Sequence, residues 1–107
     1  LTYEYNLFII ERVKLRSSEP LAAGRHQLEI LTQHTDDNPR GPLSIKCTLN
    51  GNPLIEGIVP RPAALIFTAN DCLDVGQALG SPVSMEYRDR APFKFNGTIH
   101  TMNVEYL

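Results

Sequence analysis

The sequence predicts an all-β chain, an antiparallel two-sheet β-sandwich, on three observations. Short stretches of strictly alternating apolar and polar residues recur along it, LSIKCTL at 43–49 being the cleanest. Glycine, proline and Asn-Gly pairs separate these stretches at short intervals. Nowhere does an apolar pattern of helical period run for a useful length, so about eight short strands are expected.

Leu1 to Ile10 (LTYEYNLFII) is rich in β-branched and aromatic residues and is expected as the first strand, with Tyr3, Tyr5, Leu7 and Ile9 on one face. Its continuous apolar end predicts burial on both sides. Arg12 to Arg16 alternates, with Val13 and Leu15 inward and Arg12, Lys14 and Arg16 outward, as a strand with one wet face requires. SSEPLAAG breaks the pattern at Pro20 and Gly24, and a strand from Arg25 to Thr35 is expected to turn Leu28 and Ile30 inward. The polar HTDDNPRGP that follows predicts a long surface loop.

Leu43, Ile45, Cys47 and Leu49 share one face of the next stretch, and Ser44, Lys46 and Thr48 the other. Asn50-Gly51 closes it. An Asn-Gly pair accepts the two positive φ angles of a type I′ turn, so LSIKCTL and PLIEGIV are predicted to form an antiparallel hairpin. Pro60 and Pro62 interrupt, and AALIFT at Ala63 to Thr68 is expected as a buried strand. Residues 71–91 read as a glycine-rich loop and a charged turn. FKFNGTI then leads into a closing strand pair: Phe93, Phe95 and Ile99 share one parity and Met102, Val104 and Tyr106 the other, which predicts a bulge or tight turn at His100-Thr101.

A length of 107 residues is expected to make one domain, 1–107, since domains mostly hold roughly 100 to 150 residues. Apolar residues make up 42%, enough to build a core without disulfides or metals. Net charge is −2, from ten basic and twelve acidic residues that are interleaved, so no nucleic-acid or membrane partner is expected. No apolar run approaches the roughly 18 residues that span a bilayer, and the chain is expected to be soluble. The opening at Leu1, in what reads as a strand, suggests a piece cut from a longer chain. Cys47 and Cys72 could pair, but the favoured reading is two small apolar residues in a β core.

Chemistry is harder to find. Asp71, Asp74, Glu86 and Asp89 offer oxygen ligands, but not at the spacing of a compact calcium loop. Asp71 and Asp74 are better read as turn residues bonding to backbone, and Glu86 and Asp89 as surface partners of Arg88 or Arg90. His26, His34 and His100 lie on three separate elements and are expected as solvent-facing strand residues; no nucleophile can be nominated beside them. Asn96-Gly97-Thr98 matches the glycosylation acceptor pattern, with a structural role for Gly97 preferred. Arg61, Tyr87, Arg88 and Arg90 remain as exposed loop residues for ligand or interdomain contact. Asp74, Gly76, Gly80, Pro82 and Gly97 are expected to shape turns.

YEYN at Tyr3 to Asn6, SSEPLAAGRH at Ser17 to His26, LNGNPLIEG at Leu49 to Gly57, DVG at Asp74 to Gly76, GSPVS at Gly80 to Ser84 and PFKFNGTI at Pro92 to Ile99 together cover most of the chain. In this order they resemble the C-terminal β-sandwich domain of large bacterial arylsulfatases. One departure stands at Gln77-Ala78-Leu79, where that resemblance leads one to expect an acidic residue. The order of elements also resembles concanavalin-like and laminin-G-like jelly rolls. The resemblance implies a non-catalytic accessory domain, in a bacterial protein of the periplasm or cytoplasm, packing on the catalytic domain of the same polypeptide. It also implies that the parent's formylglycine and its divalent cation, calcium, lie on that other domain, with no cofactor in this one. The C/S-x-P-x-R context of the formylglycine is absent: around Pro60, Ile58 stands at the nucleophile position and Pro62 at that of the arginine. A lectin-like module holding a sulfated glycan is the competing expectation.

Overall fold

The computed structural model describes residues 1–63, 73–80 and 84–106. The chain divides into two compact units, Leu1–Phe67 and Thr68–Leu107. All the strands described lie in the first.

That unit is all-β. Strands β1 (Thr2–Leu7) and β2 (Glu11–Arg16) form a two-stranded antiparallel sheet. Strands β3 (Leu28–His34), β4 (Leu43–Leu49) and β5 (Asn52–Val59) form a second antiparallel sheet in the order β3-β4-β5. The alternation read from the sequence decides how the layers meet. Ile45 and Cys47 of β4 are fully buried with Ile55 and Val59 of β5, and Tyr3, Tyr5, Val13 and Leu15 of the two-stranded sheet pack onto them. Ser44, Lys46 and Thr48 take the opposite face, as their parity requires.

The Asn50-Gly51 hairpin forms as predicted. Both turn residues have positive φ, 51° and 80°, and Leu49 pairs with Asn52. The ladder shifts register between Cys47 and Thr48, where Leu54 is the extra residue. Pro53 stands beside this irregularity, one of the places where a strand tolerates a residue without an N–H. The turn is also tied to the chain before β3. Gln27 N–H donates to Asn50 Oδ1 at 2.8 Å and Asn50 N–H returns a bond to the Gln27 carbonyl at 2.8 Å.

Several expectations are corrected. The first strand ends at Leu7 rather than Ile10, and Phe8, Ile9 and Ile10 form the tip of the β1–β2 hairpin. Ile9 and Ile10 are 78% and 81% exposed, the reverse of the burial predicted from an apolar run. Strand β3 begins at Leu28, not Arg25. Leu28 and Ile30 do lie on the core-facing side, opposite Leu49 and Cys47, yet both stay substantially exposed. Strand β3 is at the margin of its sheet, and among the described residues the facing layer has two strands, which leave that margin exposed. The loop of residues 35–42 is polar as expected, closed by Thr35 N–H to the Pro42 carbonyl and braced by Asp36 and Asn38 side chains on backbone N–H groups.

In the second unit the expected closing strand pair does not form. Residues 91–106 carry no strand, and the bulge proposed at His100-Thr101 has no ladder to interrupt. Phe95, Ile99, Met102, Val104 and Tyr106 are exposed on both parities, so no core selects one face over the other. Five strands stand among the described residues against the eight or so expected. The strand predicted at Ala63 to Thr68 falls mostly, and Asp71, Cys72 and Pro82 wholly, outside them.

Close approach of the two sheets depends on Gly57. A Cβ there would stand 2.5 Å and 2.6 Å from the Leu15 methyl groups, which are packed against the core. At Gly97, for which the sequence predicts a structural role, a Cβ would meet the Phe95 ring at 2.7 Å. That ring is half exposed and can swing away. We therefore expect Gly57→Ala to destabilise by about 1–3 kcal/mol, the range for overpacking. Gly97→Ala should cost under about 1 kcal/mol, well below the loss a packed strand would predict. Urea melts of both variants test the pair, and a larger loss at Gly97 than at Gly57 would contradict it.

Candidate functional site

The exposed residues singled out from the sequence fall into both units. Arg61 follows β5 and is held by Glu11 at the start of β2: Nε donates to Glu11 Oε2 at 2.8 Å, and Nη2 pairs with the same oxygen. The Arg61 side chain is 74% exposed, so this ion pair is wet. Its structural effect is to brace the segment after β5 against the base of the hairpin tip. Tyr5 adds a second brace, its hydroxyl accepting from Ala63 N–H at 2.8 Å.

The tip itself was missed as a site because its apolar run reads as strand. Phe8 and Ile9 have φ of 49° and 66°, values a β-branched residue rarely adopts. They are held there by Ile10 N–H donating to the Leu7 carbonyl at 2.8 Å and Ile9 N–H donating to Asn6 Oδ1 at 2.9 Å. The signal that could have found it is Asn6, an Asx-turn former placed just before the run.

At the base of the same sheet face, Glu4 is almost wholly buried between cations. Its Oε1 accepts from Arg12 Nη1 at 3.2 Å and its Oε2 pairs with Lys14 Nζ at 3.3 Å, the latter without hydrogen-bond geometry. Glu4 pairs across the ladder with Lys14, which makes this an ion-paired strand face in place of the freely solvated one expected.

In the second unit, Tyr87, Arg88 and Arg90 share one short 3-10 segment, Met85–Arg90, capped by the buried Ser84. The sequence reading had a charged turn here; serine before Met-Glu was the available capping signal. Tyr87 is half-buried and packs edge-on against Phe93, centroids 5.0 Å apart and planes at 78°. Arg88 and Arg90 are exposed. Asp74 Oδ2 accepts from Leu79 N–H at 2.8 Å, and Gly76, with φ of 82°, accepts from Phe95 N–H at 2.7 Å through its carbonyl. Ala78 N–H donates to the Pro92 carbonyl at 2.8 Å, so the loop at 74–79 is strapped to residues 92–95 at two points. An open cleft of about 380 Å³ lies beside this strap, lined by Val75, Gly76, Gln77, Lys94, Phe95, Gly97 and Ile99. Gly80 lies in an exposed bend.

The histidines are not all plain strand residues. His26 precedes β3, and its ring bonds the Ala22 carbonyl at 2.8 Å and Asn50 Nδ2 at 3.3 Å. Asn50 is oriented by the Gln27 N–H on its Oδ1, so its Nδ2 donates and His26 Nδ1 accepts. His34 ends β3 beside the Gly41 carbonyl, and His100 lies outside any strand. Among the described residues no three His, Cys, Asp or Glu gather into a group that could hold a metal ion. No helix of the described chain is long and apolar enough to cross a membrane.

Comparison with family models, with curated proteins and with solved structures returns no match.

Cys47 is buried and carries a free thiol, in the core position predicted for it. Burial pushes this thiol up, away from the thiolate that nucleophilic chemistry uses. Burial also raises the Tyr3 phenol, Tyr5 and Cys47 add to the shift, and a hydrogen bond with Thr32 opposes it. Both groups are neutral when protonated, so on raising the pH the unfolded chain loses these protons first and stability falls. We expect urea midpoints to hold steady from neutrality to the ordinary thiol range, about 8.5. Above it they should fall through the raised folded-state values, and Cys47→Ala should delay the onset. A midpoint unchanged up to about pH 10, where an ordinary tyrosine ionises, would contradict this.

Proposed function

We propose that this chain is a non-catalytic accessory domain that docks on a larger protein through exposed apolar side chains. The observation that carries the reading is the hairpin tip, where Phe8, Ile9 and Ile10 are presented to solvent on a backbone that two of them adopt at a cost. Such a device is hard to explain by folding alone. Contiguous exposed apolar groups of this kind mark interaction surfaces.

The finer proposal is that the partner is the catalytic domain of an arylsulfatase-type enzyme in the same polypeptide, and that the two-sheet fold is of the jelly-roll type. The sulfatase part rests on the ordered motifs from YEYN to PFKFNGTI, and the jelly-roll part on the order of elements read from the sequence. In that reading the parent hydrolyses sulfate esters with a formylglycine and a divalent cation carried elsewhere, and this chain supplies packing surface. Arg61 in one unit and Tyr87, Arg88 and Arg90 in the other would each offer contacts to that catalytic domain. The lectin-like alternative ranks second because a sugar platform needs an open ring face, and Tyr87 is half-buried against Phe93.

The docking proposal is tested at the tip. Ile10→Ser, at a side chain 81% exposed and outside the left-handed region, should leave the isolated chain's stability within about 0.5 kcal/mol, and Ile9→Ser, which takes a β-branched side chain out of that region, should leave it unchanged or raise it. The same variants should weaken association with the catalytic domain supplied in trans, and unchanged association would remove the tip from the interface. The choice of class is tested with the purified chain. No hydrolysis of an aryl sulfate is expected with or without divalent metal, and turnover lost in Cys47→Ala would overturn the assignment. Calorimetry with sulfated oligosaccharides should show no saturable binding. A dissociation constant of about 100 μM or tighter, abolished by Arg88→Ala or Tyr87→Ala, would establish the binding module instead.

A further inference from the structure

The chain contains two Asn-Gly pairs, Asn50-Gly51 and Asn96-Gly97, and the fold treats them oppositely. An asparagine followed by glycine is open to attack on its side-chain amide by the next backbone nitrogen, since no Cβ on the following residue hinders the ring closure. Whether the attack happens depends on how tightly the amide is held.

Asn50 is clamped. Its Oδ1 accepts from Gln27 N–H at 2.8 Å, its Nδ2 donates to His26 Nδ1 at 3.3 Å, and its backbone N–H donates to the Gln27 carbonyl at 2.8 Å. Its own carbonyl accepts from Asn52 Nδ2 at 3.4 Å. The Cγ therefore sits in a fixed orientation inside a hydrogen-bonded turn. Asn96 is unheld. It lies in an exposed bend with Gly97, and among the described residues neither its side chain nor the Gly97 N–H has a hydrogen-bond partner.

We propose that Asn96 is a site of spontaneous, self-catalysed modification, with water as the only co-reactant, and that Asn50 is protected by its clamp. The Gly97 nitrogen, after losing its proton to solvent, bonds to Asn96 Cγ. The Cγ–Nδ2 bond breaks, and the nitrogen leaves as ammonia after taking up a proton. Water then opens the cyclic imide. Opening at the Cγ carbonyl gives aspartate, and opening at the main-chain carbonyl gives isoaspartate, with the backbone rerouted through the side chain. One water is consumed, one ammonia released, and nothing is oxidised or reduced.

The product changes the second unit where it is strapped together. A carboxylate appears next to Phe95, whose N–H holds the Gly76 carbonyl at 2.7 Å, and on the rim of the cleft that Lys94 and Gly97 line. The isoaspartate form also lengthens the backbone by one methylene between Phe95 and Gly97.

The experiment is incubation of the folded chain at mildly alkaline pH, with peptide mapping by mass spectrometry and labelling by an isoaspartyl methyltransferase. A parallel sample is incubated in urea. In the folded chain Asn50 should react at least about tenfold more slowly than Asn96, while in urea the two rates should agree within about twofold. Equal rates in the folded chain, or faster reaction at Asn50, would overturn the proposal. So would an Asn96 that stays intact when folded while the urea sample reacts at both positions.

Discussion

The contact on which the described fold depends is the one between Leu15 of β2 and the backbone at Gly57 of β5. Two sheets can share one apolar layer only if their backbones approach closely, and a side chain at position 57 would occupy the space of the Leu15 methyls. With that space left open, Leu15 reaches the layer of Ile45, Cys47, Ile55 and Val59. The core is small, and it lies where the two-stranded sheet covers β4 and β5. Beyond that footprint, on β3, residues of the correct parity remain wet. Parity decides which face a side chain is on; coverage by the other layer decides whether it is buried.

The same distinction explains what could be read from the residues alone. The β4–β5 hairpin was legible because two independent signals agreed there: strict alternation over 43–49, and an Asn-Gly pair whose φ angles suit only one kind of turn. The β2 strand was legible from the first of these signals alone, the alternation of residues 12–16. At residues 8–10 the signals conflicted. Phe-Ile-Ile argues for strand by propensity, and the turn is imposed by Asn6 and by the Leu7 carbonyl, which composition does not show. The tail at 92–106 failed differently. Its parity flip is present in the sequence, but alternation is informative only when a second layer exists to reward one face, and the described residues there have none.

For the candidate site, individual residues were easier to find than their partners. Of the four residues read as exposed loop positions, Arg61, Arg88 and Arg90 are exposed and Tyr87 is half-buried, and three of them share one 3-10 segment in place of a loop. What the sequence could not supply was engagement: Arg61 against Glu11 across fifty residues, Tyr87 edge-on to Phe93, His26 under the Asn50 turn. These pairings are set by the fold at long or irregular separations, and no local pattern encodes them.

The two tight hairpins, β1–β2 and β4–β5, make a controlled comparison inside one polypeptide. Each places two consecutive residues in the left-handed region, Phe8-Ile9 in one and Asn50-Gly51 in the other. Asparagine and glycine are what a chain shaped by foldability alone would use in both, since they adopt that conformation at least cost. Left-handed Phe and Ile in the other turn amount to roughly 1–3 kcal/mol of strain each that a simple change of sequence would relieve. Substitution patterns among relatives could then separate two selective pressures within a single hairpin: the strand residues would vary with the demands of the core, and the tip would vary with the surface it meets.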